Sequence, residues 1–84
     1  MLAIFITPTR EQIKQVAELL ETLKYDYREY EVMSLYGGKE GVESQEGRLL
    51  QRNVDFVVAT PGRLKEHIFR SNIDLGTVQT MVID

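Results

Sequence analysis

Two short segments of the chain carry the same chemistry. Thr7-Pro8-Thr9-Arg10 follows the apolar run Ala3–Ile6, and Thr60-Pro61-Gly62-Arg63 follows the apolar run Val54–Ala59. Each reads as a strand end that turns into a helix. Proline at the first helical position fixes the entry angle and gives up an N–H that has no helical partner there. The free N–H groups of the first turn and the helix dipole attract anions. Thr9 and Thr60 offer hydroxyls that cap the helix or donate to a phosphate oxygen. Arg10 and Arg63 carry forked donors suited to phosphate. Gly62 and the pair Gly37-Gly38 remove side chains where a backbone approaches closely. Each segment alone is also a common helix start, and Gly-Gly alone is a common turn. Their repetition at consecutive strand ends points to a row of phosphate cradles. A row suits a polyanionic strand better than one small phosphate.

Such a row needs a frame. Ala3–Ile6 is continuous and apolar, as strands covered on both faces are. From Arg10 to Lys24 the period changes. Ile13, Val16, Ala17, Leu20 and Leu23 form one helical stripe, and Thr9 with Gln12 makes a T-x-x-Q capping box. Tyr25 to Glu29 reads as a polar loop. Tyr30 to Tyr36 reads as a second strand, ended by Gly37-Gly38. Glu43 to Arg52 reads as a second helix anchored by Leu49 and Leu50. Val54–Ala59 is a third strand. A third helix runs from Pro61 to about Arg70, with Leu64 and Ile68 inward. A loop over 72–76 precedes a fourth strand, Val78 to Ile83, and then Asp84.

The alternation is β-α-β-α-β-α-β. It predicts an α/β fold with a three-layer arrangement: a four-strand parallel sheet with flanking helices. In such sheets the strand C-termini share one edge, and ligands bind there.

Composition sets bounds. Eighty-four residues make one domain at most, with 43% hydrophobic and 27% charged residues, as in soluble globular pieces. A net charge of −3 gives no general attraction to nucleic acid or anionic membrane, so any polyanion site is local. There is no cysteine and a single histidine, which excludes disulfides and thiolate zinc sites. No apolar run is long enough for a membrane span. His67 reads as a surface helix residue. Glu40, Glu43 and Glu46 read as a solvated acidic face. Tyr25, Tyr27 and Tyr30 read as rim of the core, and Met33 and Met81 as core.

"PTRE" with Gln15, then "YGG", "VDFVVATPGRL" and the closing "MVID", resemble in order and spacing the DEAD-box ATP-dependent RNA helicases of superfamily 2. They match motif Ia, the GG motif, motif Ib and the start of motif II. The resemblance covers essentially the whole chain. It implies a partial RecA-like (P-loop NTPase) domain, running over residues 1–84 as a fragment of the N-terminal helicase domain. It implies RNA sugar-phosphate contacts by Pro8, Thr9, Arg10, Gly37, Gly38, Thr60, Pro61, Gly62 and Arg63, without sequence readout. Asp84 is then the first acid of motif II, holding the magnesium of Mg-ATP through water. Two departures stand out. Gln12-Ile13 replaces the family's Leu-Ala, and the segment from Gly38 to Val54 is slightly longer than usual. The family's helix glutamine therefore has Gln45 or Glu46 as candidates and no assigned role.

The 84 residues hold no G-x-x-x-x-G-K-[ST] loop, no adenine-reading glutamine motif and no second RecA-like domain. The piece alone is expected to bind no cofactor and to lack ATPase activity. The implied function is part of an ATP-hydrolysing RNA helicase. The alternatives are a non-catalytic helicase-like component of a ribonucleoprotein or ribosome precursor, and a free-standing flavodoxin-like binding module. Expected partners are RNA and the parent's second RecA-like domain, with no membrane. "TPGRLKEHI" parallels nucleolar members and tilts the expectation towards ribosome biogenesis. The expected location is intracellular: nucleus or nucleolus, cytoplasm, or mitochondrion.

Overall fold

The computed structural model describes residues 1–22, 24–25, 28–38 and 40–83. Four parallel strands form one sheet: β1 (Ala3–Ile6), β4 (Val32–Leu35), β5 (Phe56–Ala59) and β6 (Thr80–Ile83), in the order β4-β5-β1-β6. Three helices connect them: α1 (Arg10–Glu21), α2 (Val42–Gln51) and α3 (Pro61–Phe69). The expected three-layer α/β arrangement is therefore present. Between α1 and β4 lies a small antiparallel ribbon, β2 (Lys24–Tyr25) with β3 (Arg28–Glu29). The sequence predicts a loop there. Two-residue strands are too short to show a period of two.

Side-chain alternation sorts the layers. Val58 faces α1 and joins Ile13, Ala17 and Leu20, with Phe5 and Phe56 packed alongside. Val57 and Ala59 face the other way. They join Ile4, Met33, Leu35, Leu49 and Leu64 beneath α2 and α3. This placement follows from handedness. The chain moves one way across the sheet from β1 to β4, then returns through β5 to β6. Right-handed crossovers must switch faces when the direction reverses. The adjacent strands β1 and β5 are thus followed by helices on opposite faces. That is the topological switch point, where the carboxyl ends of the strands open a crevice.

Several side chains depart from expectation. Leu50 is 67% exposed, so Leu49 anchors α2 together with the buried Gln45. Met81 is exposed because β6 is an edge strand beyond the cover of the helices, whereas Met33 is buried as expected. His67 is fully buried, not on the surface. Tyr30 packs edge-on against Phe56 with ring centres 5.2 Å apart, at the end of the sheet opposite the strand C-termini. Leu23, Tyr27 and Asp84, which the sequence places in the helix stripe, the core rim and motif II, lie outside the described residues. Tyr25 is described only as part of β2. No helix among the described residues is long and apolar enough to cross a membrane.

Candidate RNA-binding rim

The loops that leave β1, β4 and β5 are stitched together by backbone hydrogen bonds. The Thr7 N–H donates to the Ala59 carbonyl at 3.0 Å, and the Thr60 N–H donates to the Leu35 carbonyl at 3.1 Å. The ladder therefore continues one residue past each strand. It sets Pro8, Pro61 and the Gly37-Gly38 turn side by side on one edge.

Each segment then turns differently. Thr9 caps α1: its hydroxyl accepts from the Gln12 N–H at 3.2 Å. The same hydroxyl donates to Gln12 Oε1 at 3.2 Å, so the two ends of the T-x-x-Q pattern engage each other. Thr60 holds the extended N-cap geometry before Pro61, yet its hydroxyl makes no cap bond. The α3 terminus consequently keeps its first-turn N–H groups free of a side-chain cap, the arrangement that receives anions.

The two arginines behave unlike one another. Arg10 is exposed, and its guanidinium lies 5.9 Å from the centre of the Tyr36 ring. It forms no ion pair among the described residues. A cleft of about 480 Å³ opens beside it, lined also by Tyr36, Glu40, Arg48 and Arg52. The Arg63 side chain is only 13% exposed. Its Nη1 donates to the Glu40 carbonyl at 3.3 Å and to Gln45 Oε1 at 3.2 Å, and its Nε lies 3.5 Å from Glu66.

Both arginines close on the glycine pair. A β-carbon added to Gly37 would stand 3.4 Å from Arg63 Nη2, and one added to Gly38 would stand 3.0 Å from Arg10 Nη1. Gly38 also has φ of +136°, which L side chains rarely adopt. Gly62 differs: an added β-carbon meets nothing within 4 Å. Packing gives no reason for glycine at that position, whereas a backbone lying against the α3 N-terminus would.

Behind the rim stands Gln45, which the sequence offers only as one of two candidates without a role, together with His67 and Asn72. Gln45 is 1% exposed. Its amide nitrogen donates to the Tyr36 carbonyl at 3.1 Å and to Glu40 at 3.2 Å. Its oxygen meets Arg63 and, at 2.9 Å, His67 Nε2. On the far side, the Asn72 amide nitrogen meets His67 Nδ1 at 3.0 Å and the Glu46 carboxylate at 2.8 Å. The spacing Gln45–Leu49 and Leu64–His67 on two facing helices was the available signal, since each pair shares a helix face.

The acidic residues are not a merely solvated face. Glu40 pairs with Arg48 at 2.6 Å, and Arg70 bridges Glu46 at 2.9 Å and Glu43 at 3.8 Å. The hydrogen bond from Arg70, then that from Asn72, holds the Glu46 carboxyl below the ordinary carboxylate value. Burial, then the nearby Arg63 charge, lowers His67 below its usual range.

Among the described residues no group of three or more His, Cys, Asp or Glu side chains gathers to hold a metal ion. β6 reaches the same edge, with Ile83 opposite Ile6, and Asp84 follows outside the described residues. No step through magnesium follows from this geometry.

A parallel sheet with helices on both faces, and with glycines and arginines beside its switch point, defines the doubly wound α/β class, in which ligands bind at that crevice. The comparison with known proteins narrows this class. A family model for DEAD/DEAH box helicases matches residues 1–84. The chain belongs to that family, and its fold is accordingly that of a partial RecA-like domain. It is 43% identical over 82 residues to "ATP-dependent RNA helicase CshA" of Listeria monocytogenes, covering 98% of this chain and 15% of that protein. It is 40% identical to "RNA helicase CrhR" of Synechocystis, over 98% of this chain and 16% of the relative. It is 39% identical to "Probable ATP-dependent RNA helicase MJ0669" of Methanocaldococcus jannaschii, over 98% of this chain and 21% of the relative. The chain thus spans between 15% and 21% of the length of these relatives.

Proposed function

We propose that this chain supplies the RNA-gripping rim of an ATP-dependent RNA helicase. In this reading the rim holds one RNA strand by its sugar-phosphate backbone. Arg10 contributes the free charge. Pro8 and Thr9 line the α1 entrance. Gly37 and Gly38 let the strand approach the main chain. Thr60, Pro61, Gly62 and Arg63 present the open N-terminus of α3. Backbone contacts of this kind read shape and the 2′-hydroxyl, not sequence. Asp84 serves as the first acid of motif II toward Mg-ATP. The magnesium nucleotide, when bound, supplies the phosphoryl chemistry. The residues described here bind and orient RNA.

The observation that carries this reading is the convergence of Arg10 and Arg63 on the glycine pair, within 3.0 and 3.4 Å of the two absent β-carbons. The test is an amide footprint in the full-length protein. Titrating single-stranded RNA into isotope-labelled protein should shift the amide resonances of Thr9, Arg10, Gly37, Gly38, Thr60, Gly62 and Arg63. Shifts confined to the opposite end of the sheet, around Tyr30 and Phe56, would refute it.

A further inference from the structure

We infer that His67 is a positioning residue for the rim, acting from the buried side of α3 through Gln45 on Arg63 and the turn at Tyr36-Gly37. The inference rests on the RNA-binding reading above.

The hydrogen-bond pattern fixes every donor and acceptor along the line. Asn72 sends its amide nitrogen to the Glu46 carboxylate, which only accepts. The same nitrogen therefore donates to His67 Nδ1, which must accept. The ring proton then sits on Nε2 and points at Gln45 Oε1, 2.9 Å away. Gln45 is oriented independently. Its nitrogen faces the Tyr36 carbonyl and Glu40, both acceptors, so its oxygen faces Arg63 and His67, both donors. No other assignment satisfies all four side chains.

This geometry makes His67 more than core filler. It is fully buried, between α2 and the turn that follows α3. A leucine would pack there and leave the second lone pair of Gln45 Oε1 without its donor. Gln45 would keep its nitrogen bonds to Tyr36 and Glu40, but its oxygen would be held by Arg63 alone and the amide would lose one of its four anchors. Arg63 Nη1 and the Tyr36 carbonyl share that one amide, so both would loosen together. Arg63 stands 3.4 Å from the absent Gly37 β-carbon, so its position sets the width of the cradle.

The test is a double-mutant cycle in the full-length protein, read as affinity for fluorescein-labelled oligouridine. His67→Leu is expected to weaken binding about fivefold, the loss typical of one buried hydrogen bond. In an Arg63→Ala background the same change is expected to cost less than about twofold, since coupled residues do not add. His67→Gln, which keeps a donor near the Nε2 position, is expected to bind within about twofold of the parent. If His67→Leu fails to fold, His67→Asn replaces it, lacking a donor at that reach. Equal affinities for the Asn and Gln variants overturn the inference. Equal losses from His67→Leu with and without Arg63 also overturn it, because they describe a merely structural residue. A ¹⁵N spectrum at neutral pH should show His67 protonated on Nε2, and protonation on Nδ1 overturns the inference without reference to RNA. Arg10→Glu, which touches none of these bonds, separates the two levels. If it weakens RNA binding while the His67 variants do not, the rim stands and the inference falls. If it too is silent, both fall.

Discussion

Arg10 Nη1 lies 3.0 Å from the point where a Gly38 β-carbon would stand, although Arg10 opens α1 after β1 and Gly38 lies in the turn after β4. Gly38 is also held at φ +136°. Gly38→Ala therefore meets strain and displaces the exposed guanidinium at once. The expected result is a loss of about 1–3 kcal/mol in urea denaturation, together with weaker RNA binding. Wild-type behaviour in both measurements would show that the turn is not braced as described.

Two other glycines have room for a side chain. Gly47 sits inside α2 and Gly62 in the first turn of α3, and an added β-carbon meets nothing within 4 Å at either site. Gly47→Ala is expected to stabilise the fold by about 0.5–1 kcal/mol and leave RNA binding alone. Gly62→Ala should also gain stability, by less than about 1 kcal/mol, yet weaken RNA binding. Identical binding for the two variants would remove the case for backbone approach at Gly62.

Much of this was legible in the residues. The stripe from Ile13 to Leu20 and the cap at Thr9 are strong periodic and positional signals, and they marked α1 correctly. Its last turn stops at Glu21, because Thr22 closes it by donating its hydroxyl to the Leu19 carbonyl at 2.6 Å. The candidate rim residues stand out in the sequence because two similar segments end two strands. His67 was misplaced for a physical reason. A polar residue's burial depends on partners from another helix, and Gln45 lies 22 positions away. Leu50 and Met81 erred in the opposite direction. Apolar type does not show that α2 turns one leucine outward or that β6 ends the sheet.

Stability should depend on pH through His67 and Glu46. Burial lowers the folded-state value of His67 from its usual 6.5, so the unfolded chain binds a proton more readily. Its stabilising contribution is complete above pH 6.5 and is lost as pH falls toward the lowered value. Glu46 is lowered from 4.5, so its contribution is present above that pH and is lost on further acidification. Denaturation curves should show a first decline setting in below about 6.5, where unperturbed histidine titrates. That decline should vanish in His67→Gln. Persistence in the variant would place it elsewhere.

The N-cap offers a local check. Thr9→Ala removes the acceptor for the Gln12 N–H and is expected to cost about 1 kcal/mol in stability. Thr60→Ala removes a hydroxyl that makes no cap bond and should cost less. A larger cost at Thr60 than at Thr9 would contradict the assigned cap geometry.

The rim itself is tested most directly by a salt titration of RNA affinity in the full-length protein, comparing wild type with Arg10→Ala on two single strands of unrelated sequence. The account predicts weaker binding on both strands alike. It also predicts that the slope of log affinity against log salt becomes shallower by about 0.7, the value for one single-strand phosphate contact. An unchanged affinity and slope, or a loss confined to one sequence, would contradict it.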